Sequence, residues 1–148
     1  MIKAKLITVC ALWGGVSAVL FGGWDNALKL LVCLMAVDYI TGMVVAVVFK
    51  NSPKTKSGGA ESKVGFKGLC RKGAILCVVL IGYRLELATG VSYIRESIIY
   101  GFSMNELISL IENMGLMGVP MPEAVTRAIE ILKTRGDNDN EKNNSSQQ

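Results

Sequence analysis

The chain has no histidine among its 148 residues. That removes the commonest general base and the commonest metal ligand. Its four cysteines, Cys10, Cys33, Cys70 and Cys77, form no CxxC pair, and three lie inside apolar blocks. They read as small buried hydrophobes, so no metal or other cofactor is expected. No nucleophile–base constellation stands out elsewhere, and the chain is not expected to be an enzyme. Charge is also scarce. Charged residues make up 19% of the chain, against about 25% in ordinary soluble domains.

What is present is apolar residue, 51% of the chain, gathered into blocks with the charges mostly between them. That distribution predicts an all-α integral membrane protein with three or four transmembrane helices. The expected spans cover about residues 6–23, 27–49, 73–90 and 93–117, within a membrane domain 1–118. The first block also has the shape of a signal peptide, with "VSA" ending at Ala18 as a cleavage site. The third is short of apolar length and is also compatible with a re-entrant segment. A short amphipathic helix is expected over 119–135, because Pro120 stops the preceding helix and Pro122 suits a first turn. The polar tail 136–148 is expected to be disordered.

The stretch 50–72, "KNSPKTKSGGAESKVGFKGLCRK", has almost no acid: six lysines and one arginine against one glutamate. It sits between two apolar blocks without aromatic interleaving, which argues against a nucleic-acid partner. A short loop this basic stays in the cytoplasm under the positive-inside rule. Lys50, Lys54, Lys56, Lys63, Lys67, Arg71 and Lys72 are therefore read as setting topology and contacting lipid. The amino terminus is then cytoplasmic, the turn "GGWDN" (22–26) lies outside with Trp24 at headgroup level, and with four spans the carboxyl terminus is cytoplasmic.

Small residues recur every four positions, at Gly14, Ala18 and Gly22 and again at Gly42 and Ala46. Such spacing lets helices approach closely in lipid. Frequent glycine and alanine in membrane helices produce the same pattern by chance.

The polar groups inside the blocks raise the sharper question. Between Lys29 and Lys50 the only charge is Asp38. Arg84 and Glu86 interrupt the third block, and Asn105, Glu106, Ser109, Glu112 and Asn113 share one face of the fourth. A charge at a helix centre costs about 2.5–3.5 kcal/mol on insertion scales. Asp38, Arg84 and Glu106 would together cost about 8–10 kcal/mol if all faced lipid, summed from the same scale. These groups must be compensated. One reading pairs them within a monomer, for example Asp38 with Arg84. The other turns Asp38, Thr41, Gly42 and the polar face toward water or a neighbouring subunit in an assembly.

Three ordered stretches carry a resemblance: "GGWDNALKLLVCLMAVDYITG", "ESKVGFKGLCRK" and "NELISLIENMGLMGVPMPEAVTRAIEILK". Together they resemble the toxin-secretion and phage-lysis holin family over about residues 11–133. The positions that match are Asp38, Tyr39, Gly42, Lys63, Gly65, Phe66, Lys67, Gly68, Arg71, Lys72, Asn105, Glu106, Glu112 and Asn113. The resemblance implies a multi-pass protein of the bacterial inner membrane that forms homo-oligomers. It would open a timed lesion that passes a murein hydrolase (endolysin) or a toxin, without stable binding of that cargo. Two alternatives come from other classes. One is a small transporter or ion channel working through Asp38, Arg84 and Glu106. The other is a membrane anchor for a soluble partner.

Overall fold

The computed structural model describes residues 15–16, 19–54, 59, 61–128 and 130–131. Three long helices organise them: α1, Asn26–Val44; α2, Ser62–Thr89; and α3, Ile94–Leu116. There is no strand among the described residues, so the expected all-α class holds. A π-helical segment, Val45–Phe49, extends α1. Together they make a 24-residue element, Asn26–Phe49, the one helix among the described residues that is long and apolar enough to cross a membrane.

Several helix ends have a local cause. Asp25 is the N-cap of α1, where its carboxylate accepts from the Leu28 amide at 2.8 Å. That satisfies one of the donors a helix start leaves open. The extension of α1 ends at Lys50 in the left-handed region, φ 49. Gly90 closes α2 with φ 71, its amide returning to the Glu86 carbonyl at 2.9 Å. A glycine bears that conformation without a Cβ clash. Residues 123–128 form a helical turn after Pro122, whose carbonyl accepts from the Val125 amide.

α2 differs from the expected third block. It starts at Ser62 rather than near Gly73 and runs for 28 residues. The second half of the basic stretch is therefore helix, and the connecting segment is only 50–61. At about 1.5 Å per residue α2 is about 42 Å long, well beyond a hydrocarbon core of about 30 Å. α3 matches the expected fourth block to within a residue at each end.

The helices run up, down and up, with α1 packed most extensively on α3, α2 packed on α3 next, and α2 touching α1 sparsely. The buried core is Leu28, Leu31, Met35, Ile75, Val79 and Ile99. These positions recur at three and four residues along α1 and at four along α2, the spacing that keeps one stripe facing inward. The core fills the half of the bundle nearer the 22–26 turn. Gly14, Ala18, Lys56 and the 136–148 tail lie outside the described residues, as do 129 and 132–135.

Candidate functional site

The other half of the bundle is organised by charge. Asp38 follows Leu31 and Met35 on the inward stripe of α1. Lys72 precedes Ile75 and Val79 on the inward stripe of α2. Glu106 follows Ile99 and Ser103 on that of α3. The three side chains meet at one level. Lys72 Nζ donates to Asp38 Oδ2 at 2.9 Å and to a Glu106 carboxylate oxygen. Their side chains are 12%, 10% and 6% exposed, so water screens the contacts little. Such charge-assisted bonds are about twice as strong as neutral ones.

Asn113, one helical turn pair further along α3, completes the cluster. Its amide nitrogen donates to Asp38 Oδ1 at 3.0 Å and to Thr41 Oγ1 at 3.1 Å. Thr41 in turn donates to the Val37 carbonyl at 2.9 Å. Both oxygens of Asp38 are thus satisfied by groups from two other helices. Gly42 lies against this contact, where a Cβ would stand 3.6 Å from the Asn113 amide nitrogen, an ordinary packing distance. Counted at formal charges, two carboxylates face one ammonium, and the cluster retains one negative charge.

Beside the cluster lies a cavity of about 140 Å³, bounded by α1, by Ser52, Lys54, Gly59 and Glu61 of the connecting segment, and by α2 and α3. Asp38, Lys72 and Glu106 line it together with Lys54, Arg71 and Glu61. Its space is that of several water molecules. Tyr39 leans over the bare backbone of α2, where a Cβ at Gly65 would stand 3.6 Å from the Tyr39 hydroxyl.

The opposite end of the bundle holds a second, smaller polar arrangement. Arg95 Nη1 donates to Asp25 Oδ2 at 2.6 Å, and the Arg95 backbone amide donates to Glu86 Oε1 at 3.0 Å. Partial burial pushes the Asp25 carboxyl up. The Arg95 hydrogen bond, the Leu28 amide, the Arg95 charge and the Ala27 amide outweigh it and hold the carboxyl below its ordinary value.

Several sequence expectations are redirected. The intrachain partner of Asp38 is Lys72, not Arg84. Arg84 is exposed near the end of α2 and donates to the Val19 carbonyl at 3.0 Å. Lys72, grouped with the topology lysines, is half-buried and joins the cluster, because it shares a stripe with Ile75 and Val79. Lys50, Lys54, Lys63, Lys67 and Arg71 remain exposed. The polar face of α3 splits: Glu106 and Asn113 turn inward, Ser109 is half-buried, and Asn105 and Glu112 are exposed. Gly22 serves the turn before α1. It has φ +77, and a Cβ there would come within 2.6 Å of the Tyr83 ring. No sequence pattern pairs Asp25 with Arg95. An acid just before an apolar run is a capping signal, but nothing local links it to a residue seventy positions away.

Comparison with known proteins adds an independent line. Residues 15–134 match the bacteriophage holin family. The uncharacterized protein Lmo0128 of Listeria monocytogenes is 35% identical over 131 residues, 88% of each chain. An uncharacterized 14.9 kDa protein encoded in the nagH 3' region of Clostridium perfringens is 35% identical over 118 residues, covering 78% of this chain and 83% of its own. The uncharacterized protein BH0965 of Halalkalibacterium halodurans is 36% identical over 120 residues, 77% and 83% of the two chains. No solved structure matches significantly. A match over most of the chain, with relatives of this identity and coverage, settles the kinship: the chain belongs to the bacteriophage holin family.

Proposed function

We propose that this protein is a phage-type holin: it collects in the bacterial inner membrane and opens a lesion that releases an endolysin or a toxin. In this reading the 6–23 block and all three long helices span. The basic 50–61 segment and both termini are cytoplasmic, and the Asp25 turn is external. The protein itself performs no catalysis and holds no cofactor.

The observation that carries the mechanism is the Asp38–Lys72–Glu106 cluster. A membrane-inserted chain with Asp38, Lys72 and Glu106 turned into its bundle needs an inert state before any lesion forms. The cluster supplies one. It shelters Asp38, Lys72 and Glu106 against each other, so a lone chain shows lipid mostly apolar side chains such as Ile40, Val47, Val48 and Ile81. The sheltering is conditional, because removing one partner of a buried ion pair leaves an unpaired charge, at about 3–5 kcal/mol. α2 is held to α1 by little else, so its separation from α1 and α3 would bare all three charges together. Neighbouring copies, or water in a shared lumen, would then have to satisfy them. Assembly is driven by mass action, so opening depends on membrane density. Asn105, Ser109, Glu112 and Asn113 supply further polar surface for the lumen or the subunit contact. Gly42 and Ala46 supply a small-residue face.

Expression in bacteria tests the reading. Induced alone, the protein should collapse the membrane potential abruptly after a delay. Induced with a cytosolic endolysin lacking an export signal, it should cause lysis at that moment. A transporter or an anchor would permit no lysis, and that outcome would overturn the proposal.

A further inference from the structure

The cavity beside the charge cluster contains more cationic surface than the cluster uses. Arg71 and Lys54 both line it, and neither side chain has an ion-pair or hydrogen-bond partner among the described residues. Glu61 is the one acid at this outer part of the wall. The outer part therefore carries one net positive charge, while the inner part carries the net negative charge of Asp38, Lys72 and Glu106. The remaining wall is mixed. Met43, Ala46 and Val64 are apolar, and Ser52 brings a hydroxyl.

The position of this cavity narrows what it suits. α2 is about 12 Å longer than a hydrocarbon core. Its other end reaches the Asp25 turn, so the surplus lies at the Ser62 end, around Lys63 to Arg71. That surplus sits at the level of lipid headgroups on the basic side. Phe66 and Leu69 are exposed on the same turns, as expected of a helix segment crossing an interface. An opening at headgroup depth, with two uncommitted cations and an apolar flank, matches a phosphate with an acyl chain attached.

We propose that the cavity binds the headgroup phosphate of an anionic phospholipid from the cytoplasmic leaflet. Arg71 and Lys54 would contact the phosphate oxygens, and Met43, Ala46 and Val64 would flank the first methylenes. Arg71 adjoins Lys72 in sequence, so a lipid seated there braces the turn of α2 that carries the cluster. The inference rests on the membrane reading above and gives it a ligand.

The test uses full-length protein reconstituted in vesicles of phosphatidylcholine, with or without phosphatidylglycerol. Resistance to carbonate extraction is scored first. Protein stripped from the vesicles would overturn the membrane reading, and this proposal with it. Relative association of spin-labelled phosphatidylglycerol over phosphatidylcholine is then measured. Arg71→Gln with Lys54→Gln should lower that preference about thirtyfold, from about 1 kcal/mol per basic residue near an anionic surface. Lys63→Gln with Lys67→Gln removes equal charge from the same turns but not from the cavity wall, and should lower it far less. Equal losses in the two double variants would mean diffuse attraction to the surface and would overturn the site. Full displacement of the labelled lipid by millimolar inorganic phosphate would assign the cavity to a soluble anion and overturn the lipid assignment.

Discussion

The two halves of this bundle solve the same packing problem with opposite chemistry. Near the Asp25 turn, Leu28, Leu31, Ile75, Val79 and Ile99 meet in a dry core, and Arg95 with Asp25 closes its end. Near the basic segment, the same inward stripes carry Asp38, Lys72, Glu106 and Asn113. An apolar core in lipid is held by close packing, since lipid tails are as apolar as leucine. A charge cluster is held by partners that must all be present at once. In the proposed mechanism the first half stays fixed and the second half is the part that switches.

Substitutions in each half should separate these roles, and the largest effect belongs to the cluster. Lys72→Met leaves two neighbouring carboxylates without their cation and should destabilise the reconstituted protein by about 3–5 kcal/mol. Glu106→Gln keeps a neutral Asp38–Lys72 pair and should cost under about 2 kcal/mol, the scale of one charged hydrogen bond. Unfolding in mixed micelles by a denaturing detergent measures both. Equal losses would show that the charge balance is not what holds the cluster.

In the dry half, Ile99→Ala should cost about 2 kcal/mol in the same assay. That is the low end of the range for such truncations, because the vacated contact is exchanged with lipid rather than water. The variant should leave the onset of lysis close to that of the unmodified protein at equal protein level. A strongly shifted onset would place switching in the wrong half. Gly22→Ala comes next, at about 1 kcal/mol or a little more, from its positive φ and the Tyr83 ring.

The smallest effect concerns pH at the Asp25 clasp. The Asp25 carboxyl lies below its ordinary value of 3.8 in the folded chain. The folded state thus binds its proton less readily than the unfolded state. The resulting stability is fully present above about pH 3.8 and is lost as pH falls through the lowered value. Asp25→Asn should remove this acid-side component and leave stability above pH 5 changed only by the lost Arg95 pair. An unchanged acid slope would assign the effect to another carboxylate.

How far the sequence reveals this depends on what kind of signal each feature leaves. The block around Asp38 announces a span because its length and apolarity are local properties. α3 is legible for a similar reason, since its polar positions repeat at helical spacing. The start of α2 is not, because Lys63, Lys67, Arg71 and Lys72 look like loop charge until helical phase is imposed. Lys72 then falls in line with Ile75 and Val79, one residue away from the exposed Arg71. Its meeting with Asp38 and Glu106, each 34 positions away, depends on how three helices set their relative heights, which no short window encodes. Arg84 was the more conspicuous base, since it interrupts an apolar run, yet its level in α2 is near the opposite end from Asp38.

The central claim is that pairing between Lys72 and Asp38 sets when the lesion opens. The most direct measurement is the onset of potential loss in cells expressing Asp38→Lys, Lys72→Asp, or both together, at matched protein levels. Each single exchange should abolish the normal delay, by early opening or by failure to insert. The double exchange, which restores opposite charges at the two positions, should bring the delay back toward that of the unmodified protein. A double variant no closer to normal timing than either single one would contradict the account.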